Sequence, residues 1–267
     1  MSSAPGLVEL PRPENTGRDY FDLSAALAAL DTGAPLVLPP MQVTLCEIGG
    51  KPLRFCTNYD RDPIQRDHRS GTFFEARDLA RLARHLPPHP RVLDVGANVG
   101  NHALFFATQC DAARVVVVEP NPLALAALVA NVALNGLRDV ISLDALGVGL
   151  GAASESGLFM KRHDRNLGAT RMVRGQGGAL EVHPGDALFA DETFDLIKID
   201  VEGMELEVLA GLQETVARCR PMLFVEVDPV NADGFIHWCA TQSYETRFAI
   251  DHGGNMNYLI QPIGEKT

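Results

Sequence analysis

The 267-residue sequence has little of several things that define other protein classes. Its five cysteines (Cys46, Cys56, Cys110, Cys219 and Cys239) are odd in number, scattered and never spaced as CxxC. That excludes a disulfide framework and a cysteine zinc site. No apolar run reaches membrane-spanning length; the nearest, ALAALVANVAL, is interrupted by Asn131. The start, MSSAPGLVELPRPENTG, has neither a charged n-region nor an apolar h-region, so a soluble cytoplasmic protein is expected. Positive charge is scarce: 23 Lys and Arg against 34 Asp and Glu leave a net charge of −11. Such a chain repels nucleic acid and anionic membrane. Its longest basic stretch, KRHDR at residues 161–165, is broken by Asp164. Neither nucleic acid nor membrane is an expected partner, and an oligomer is left open. Internal repeats are also missing.

What is present is enough apolar sequence for a core: 46% hydrophobic residues with 21% charged. Residues 1–19 are rich in Pro, Gly and Ser. YFDLSAALAALDTG reads as a helix ended by Gly33, and MQVTLCEIGGKPLRFCTNY alternates about Gly49-Gly50 as a β-hairpin does. EARDLARLARHL is an amphipathic helix with Leu79, Leu82 and Leu86 on one stripe, and prolines 87, 88 and 90 stop it. These elements form an N-terminal extension over residues 1–86, packing on a main domain over 87–267. From Arg91 onward, strands and helices alternate. RVLDVG, RVVVVEP, DVISLDALG, FDLIKID and PMLFVEVDP read as strands, with helices NHALFFATQC, PLALAALVANVALNG, MELEVLAGLQETVARC and NADGFIHWCATQ between or after them. A looser section runs to about Gly178, LEVHPGDALF is a short strand and turn, and YETRFAI and NMNYLIQPI are two closing strands. Continuous runs such as VVVV fit parallel strands buried on both faces, so the expected fold is α/β, a Rossmann-like doubly wound sheet.

Such a sheet binds ligands at the carboxyl ends of its strands. RVLDVGANVGNH places Asp94 at a strand end and Gly96 and Gly100 in the turn that follows. The dinucleotide fingerprint G-x-G-x-x-G has Asn98 where its middle glycine should be, and Asp94 would face a pyrophosphate with like charge. The sulfonium and ammonium of S-adenosylmethionine (SAM) suit a carboxylate there better. Glu119 ends the second strand, placed to hold ribose hydroxyls. Asp144 ends the third, placed for the adenine amine, with Ala145 beside it. Each acid alone could be a helix cap; as an ordered set after a glycine turn they read as a cofactor site.

FDLIKIDVEGMELEVLAGL is the second concentration of chemistry. An apolar strand delivers Lys198, Asp200 and Glu202 to its end, and PMLFVEVDP repeats the device with Glu226 and Asp228. A lysine inside an apolar strand needs a partner, and Asp200 or Glu226 is expected to be it. The blocks VLDVGANVGN, VVVVEPNP, ALG, DLIKIDVEGMELEVLAGL and MLFVEV, in this order, resemble the FkbM-type family of SAM-dependent methyltransferases. The resemblance covers about residues 71–226. It implies a class I methyltransferase sheet of seven strands, mostly parallel with an antiparallel last strand. It also implies methyl transfer, most often to a hydroxyl of a natural product or sugar. On the matching positions it implies SAM contacts from Asp94, Gly96, Ala97, Asn98, Gly100 and Asn101, from Glu119 and Pro120, from Asp144 and Ala145, and from Asp200 and Glu202.

Methyl transfer to an alcohol wants a general base or a metal. Asp200, Glu226, His163 and His252 are the candidate bases. His183, before Pro184, reads as packed in a turn. Each histidine alone is otherwise a solvated loop residue. Asp200, Glu202 and Glu226 come from adjacent strand ends and would suit Mg²⁺. Glu202 and Glu205 would equally favour the following helix N-terminus, and no metal is assigned. GTFFE either packs its phenylalanines in the core or brings Phe74 or Glu75 to the donor. Two other readings stand against a methyltransferase acting on a small-molecule acceptor: an NAD-dependent oxidoreductase, disfavoured by Asn98 and Asp94, and a SAM-binding protein without catalysis.

Overall fold

The computed structural model describes residues 21–161, 166–175 and 178–264. The chain opens with helix α1 (Leu23–Thr32), capped by the Asp22 carboxylate and closed by Gly33 in the left-handed conformation. Strands β1 (Gln42–Ile48) and β2 (Lys51–Thr57) form the expected hairpin. Helices α2 (Pro63–Arg69) and α3 (Ala76–Ala83) follow. Leu79 and Leu82 on α3 are fully buried.

The main sheet then assembles from β3 (Arg91–Val95), β4 (Arg114–Glu119), β5 (Ile141–Leu146), β10 (Leu196–Ile199), β11 (Met222–Val227), β12 (Tyr244–Asp251) and β13 (Met256–Pro262). Its order is β12-β13-β11-β10-β3-β4-β5. Pairing is parallel from β11 through β5, and β13 runs antiparallel to both of its neighbours. The central strands carry unbroken apolar runs because helices cover both faces. Helices α4 (Asn101–Gln109) and α5 (Pro122–Leu134) build one side. The helices α7 (Glu205–Gly211), α8 (Gln213–Cys219) and α9 (Ala232–Thr241) build the other. Strand order reverses between β3 and β10, which opens a crevice at their carboxyl ends.

The section expected to be loose is a second sheet of order β6-β9-β7-β8, formed by β6 (Val148–Leu150), β7 (Glu155–Lys161), β8 (Arg171–Arg174) and β9 (Leu180–His183). A short helix α6 (Gly185–Leu188) leads back to the main sheet. The helix expected from Met204 to Cys219 is two helices meeting at Leu212. Gly211 packs so closely that a Cβ there would lie 2.0 Å from the Gly151 carbonyl oxygen.

The N-terminal elements share one apolar cluster with the main sheet: Leu36, Leu53, Phe55 and Phe73 pack with Val92, Leu104 and Phe106. Two asparagines of α5 stitch the hairpin down. Asn131 accepts from the Cys56 amide and donates to the Val99 carbonyl, each at 2.7 Å. Asn135 accepts from the Arg54 amide at 2.9 Å and donates to the Arg54 carbonyl at 2.7 Å. The hairpin is thereby tied, through one buried side chain, to the glycine turn at the crevice. Among the described residues no helix is long and apolar enough to cross a membrane.

Candidate active site

The turn after β3 is built from backbone geometry. Gly96, Asn98 and Gly100 have φ of 77°, 49° and 86°, and the amides of Gly96 and Ala97 both donate to the Val118 carbonyl. A Cβ on Gly96 would sit 1.8 Å from the Asp200 carbonyl oxygen, so only glycine fits between β3 and β10. Beyond it lies a cavity of about 580 Å³ including its mouth. Gly96, Asn98, Glu119 and Pro120 form one wall, Gly149, Leu150, Met160 and Met172 another, and Leu167, Gly168 and Thr170 a third; Asp200, Glu202 and Met204 close it.

Glu119 is 5% exposed and accepts from the Asn98 and Asn121 amides, each at 2.7 Å. Burial nevertheless lifts its carboxyl to about 7. The Oδ1 of Asn98 and the hydroxyl of Thr170 are buried with no partner among the described residues. An orphaned polar atom in a cavity wall costs about 1–3 kcal/mol unless a ligand meets it. Glu119, Asp200 and Glu202 add carboxylates to these wall atoms, and this donor and acceptor set fits SAM.

Several residues expected at the cofactor lie away from the cavity wall. Asp94 is fully buried and does not line the cavity. Its carboxylate lies 3.0 Å from the Lys198 ammonium, so its charge is balanced within the protein. The lysine also donates to the Gly96 carbonyl at 2.7 Å and lies 3.5 Å from Asp200. Its main partner is thus Asp94, with Asp200 second, and not Glu226. Asp144 lies outside the cavity because β5 runs two residues further, to Leu146, which pairs with Glu119. Its side chain is exposed, bonds the Ser142 hydroxyl at 2.6 Å and meets Arg138. Ala145 is buried in the core. Asn101 is buried and holds the segment before α3: its Oδ1 accepts from the Phe74 amide at 2.9 Å and its Nδ2 donates to the Phe74 carbonyl at 3.1 Å. His68 adds a contact at 3.0 Å. Ala97 and Gly100 shape the turn without lining the cavity.

A second, smaller cavity of about 180 Å³, the inner chamber, lies on the Glu226 side of Asp200, lined by Glu75, His102, Lys198, Ile199, Asp200, Phe224, Glu226 and Asn257. Both cavities share Asp200. Burial lifts Glu75, Glu202 and Glu226 each to about 7, and the neighbouring Asp200 charge adds to all three. His102 is pushed down to about 3 by burial and by Lys198. Of the expected bases, Asp200 and Glu226 face this cavity. His252 stands behind Glu75, with Nδ1 3.5 Å from Glu75 and Nε2 3.2 Å from Asp78. His163 lies outside the described residues. His183 meets Ser154 and Glu181 at the surface. Of the two readings of GTFFE, Phe73 packs against Phe55 and Phe105 while Glu75 reaches the cavity. His102 went unremarked in the sequence; its signal was its place one residue into the helix that follows the glycine turn.

The sheet order, its single antiparallel strand and the glycine turn facing an acid one strand away define a Rossmann-like methyltransferase fold of class I. Family comparison narrows it: a model described as the methyltransferase FkbM domain matches residues 94–252. The chain belongs to the FkbM family of SAM-dependent methyltransferases. Methyltransferase sdnD of Sordaria araneosa is 31% identical, over 48% of this chain and 62% of that protein. The structure of the methyltransferase FkbM from Methylobacillus flagellatus KT matches with a TM-score of 0.43 and 21% identity, over 64% of this chain and 44% of that one. Sp1610 of Streptococcus pneumoniae, a putative tRNA (m1A22) methyltransferase in complex with S-adenosyl-L-methionine, matches with a TM-score of 0.45 and 15% identity, over 72% and 74%. The chain thus spans less than two thirds of the first two proteins.

Proposed function

We propose that the protein transfers a methyl group from SAM to a hydroxyl of a small-molecule acceptor, a natural product or a sugar. The observation that carries the reading is the meeting of the two cavities at Asp200: one fits the methyl donor, and the other is a small polar chamber beside it. SAM supplies an electrophilic methyl on a sulfonium. The walls of the outer cavity hold the donor, and the inner chamber orients the acceptor oxygen for in-line attack; such positioning alone supplies several kcal/mol.

An alcohol must also lose its proton. Glu75, held near 7, matches a general base at neutral pH. Its neighbour His252 is partly exposed, with Nδ1 3.5 Å from the Glu75 carboxylate. Glu226 has a similar proton affinity but is tied to Asn255 at 2.6 Å. The net charge of −11 supports a small acceptor over nucleic acid or a membrane surface, and a cytoplasmic setting accords with the thiols being unpaired.

Calorimetric titration with S-adenosylhomocysteine (SAH) and with NAD tests the donor. Binding of NAD without SAH would overturn the reading. Labelled SAM offered with a panel of polyols, sugars and phenols tests the transfer. Glu75→Gln should leave SAH affinity unchanged and lower turnover roughly 10²–10⁴-fold, as loss of a general base does.

A further inference from the structure

Asp200, Glu202 and Glu226 each turn a carboxylate oxygen toward the others, and those atoms all lie within 4.8 Å of one another. The three arrive from separate pieces of chain. Asp200 follows β10, Glu226 sits on β11, and Glu202 is brought back by a left-handed turn with φ of 53°, followed by Gly203 at 102°. Glu202 stands two residues before the Met204 cap of α7, and Glu205, the first residue of that helix, accepts from the Gly203 amide at 2.6 Å.

An independent feature stands beside the cluster. Asn257 pairs directly with Glu226 across the β11–β13 ladder, so both side chains leave the same face of the sheet. Asn257 is 2% exposed, lines the inner chamber with Asp200 and Glu226, and its Oδ1 has no partner among the described residues. A buried amide oxygen left without a donor is costly. A cation would satisfy it and the three carboxylates together.

We propose that Asp200, Glu202, Glu226 and the Asn257 amide oxygen form a binding site for a divalent cation of the Mg²⁺, Mn²⁺ or Ca²⁺ class. An ion bound at about 2.0–2.6 Å to each oxygen holds its ligands no more than about 4–5 Å apart, which matches the 4.8 Å spread of the three carboxylate oxygens. The all-oxygen donor set selects hard cations over zinc or copper. Local charge favours the same occupant. Glu75, Asp200 and Glu226 crowd the chamber and Glu202 meets them from the wall of the larger cavity, while the Lys198 ammonium lies closer to Asp94, at 3.0 Å, than to Asp200, at 3.5 Å. Arg171, which also faces Glu202, is ion-paired to Asp228 at 2.6 Å. Resting on the methyl-transfer reading, the ion would stand where the two cavities meet and ease ionisation of the acceptor hydroxyl.

Mn²⁺ is the probe: loss of its free-ion signal in electron paramagnetic resonance reports binding to the ligand-free full chain. One Mn²⁺ per chain should bind, Mg²⁺ or Ca²⁺ should displace it, and both Glu226→Gln and Glu202→Gln should weaken it at least tenfold. Glu207→Gln, on the exposed side of α7, should not. Thermal melts establish that each variant is folded, and Asn257→Leu provides a test that leaves all three carboxylates in place, with weaker binding expected. No saturable uptake by the wild type up to about 1 mM, the weak end of natural sites, overturns the proposal. So does uptake that survives both glutamine substitutions. SAH titration of the same samples separates the two readings. SAH binding without Mn²⁺ binding removes the ion and leaves methyl transfer, and the converse removes methyl transfer and leaves the ion.

Discussion

Lys198 and Asp94 form an ion pair at 3.0 Å in the middle of the main sheet, with side chains 3% and 0% exposed. They pair across adjacent parallel strands, in the register that places Lys198 beside Asp94. The lysine then reaches past its partner to the Gly96 carbonyl, so the pair fixes the cofactor turn as well as neutralising itself. Lys198→Met should destabilise the fold by about 3–5 kcal/mol, because it strands a buried carboxylate. The double variant Lys198→Met with Asp94→Leu should recover part of that loss. Urea denaturation of the two proteins checks it, and equal losses would show that the charge of Asp94 is not what the lysine serves.

The two glycines of the turn should behave differently. At Gly96 a methyl group meets the Asp200 backbone at 1.8 Å, so Gly96→Ala must displace either β3 or the strand end that carries Asp200. Loss of SAH binding is the expected result. At Gly100 the nearest atom to an added Cβ is Leu128 Cγ at 3.5 Å, and only the left-handed backbone objects. Gly100→Ala should cost about 1–3 kcal/mol of stability and keep measurable SAH affinity by calorimetry.

The parts of this fold that a sequence shows are those carried by apolar pattern. The runs around Val92, Val116, Ile197 and Leu223 announce buried parallel strands, and all four residues are 3% exposed or less. The small sheet was not legible because it has little core: along β7 only Leu158 is buried. Helix α2 was not legible because its inward residues are Gln65 and His68, both fully buried and both polar. In the site, Glu119 could be read from its place at a strand end. Asp144 falls in a one-residue register shift of the β4–β5 ladder, short of the strand end at Leu146, and its side chain meets Ser142 and Arg138. The facing of Asn101 was not legible, because proximity to a glycine turn in sequence does not fix which way a side chain points; its amide satisfies the Phe74 backbone. Glu75 and His102 could not be paired from sequence at all, since tertiary packing alone brings them to one chamber.

Asn101 links that chamber to the fold. It holds the residue before Glu75 by two backbone hydrogen bonds, and Glu75 itself adopts a left-handed φ of 56°. Asn101→Ala removes both bonds and the contact to His68, at about 0.5–1.5 kcal/mol for each bond. The outer cavity is untouched by the change. SAH affinity should therefore hold while turnover with a given acceptor falls, a separation that calorimetry and steady-state kinetics measure directly. A parallel fall in SAH affinity would return Asn101 to the cofactor site.

The raised glutamates make stability depend on pH in a direction that can be worked out. Glu75, Glu119, Glu202 and Glu226 go from 4.5 to about 7 on folding, chiefly through burial. The folded state therefore holds their protons more tightly than the unfolded chain does. Their stabilising contribution is present below about 4.5 and is lost as pH rises toward and through about 7. His68 and His102 shift the opposite way, from 6.5 to about 4 and about 3, so they cost stability only as pH falls below 6.5. Above that pH the histidines are mainly neutral in both states and the glutamates dominate. The ligand-free protein should melt at lower temperature at pH 8 than at pH 6.5, and the fall should be smaller in Glu75→Gln and in Glu226→Gln, each of which removes one buried charge. Saturating SAM should also reduce it, since its cationic groups favour the ionised carboxylates. Scanning fluorimetry across this window checks the sign, and a melting temperature that rises from pH 6.5 to 8 would mean that the four carboxyls are already ionised in the folded protein.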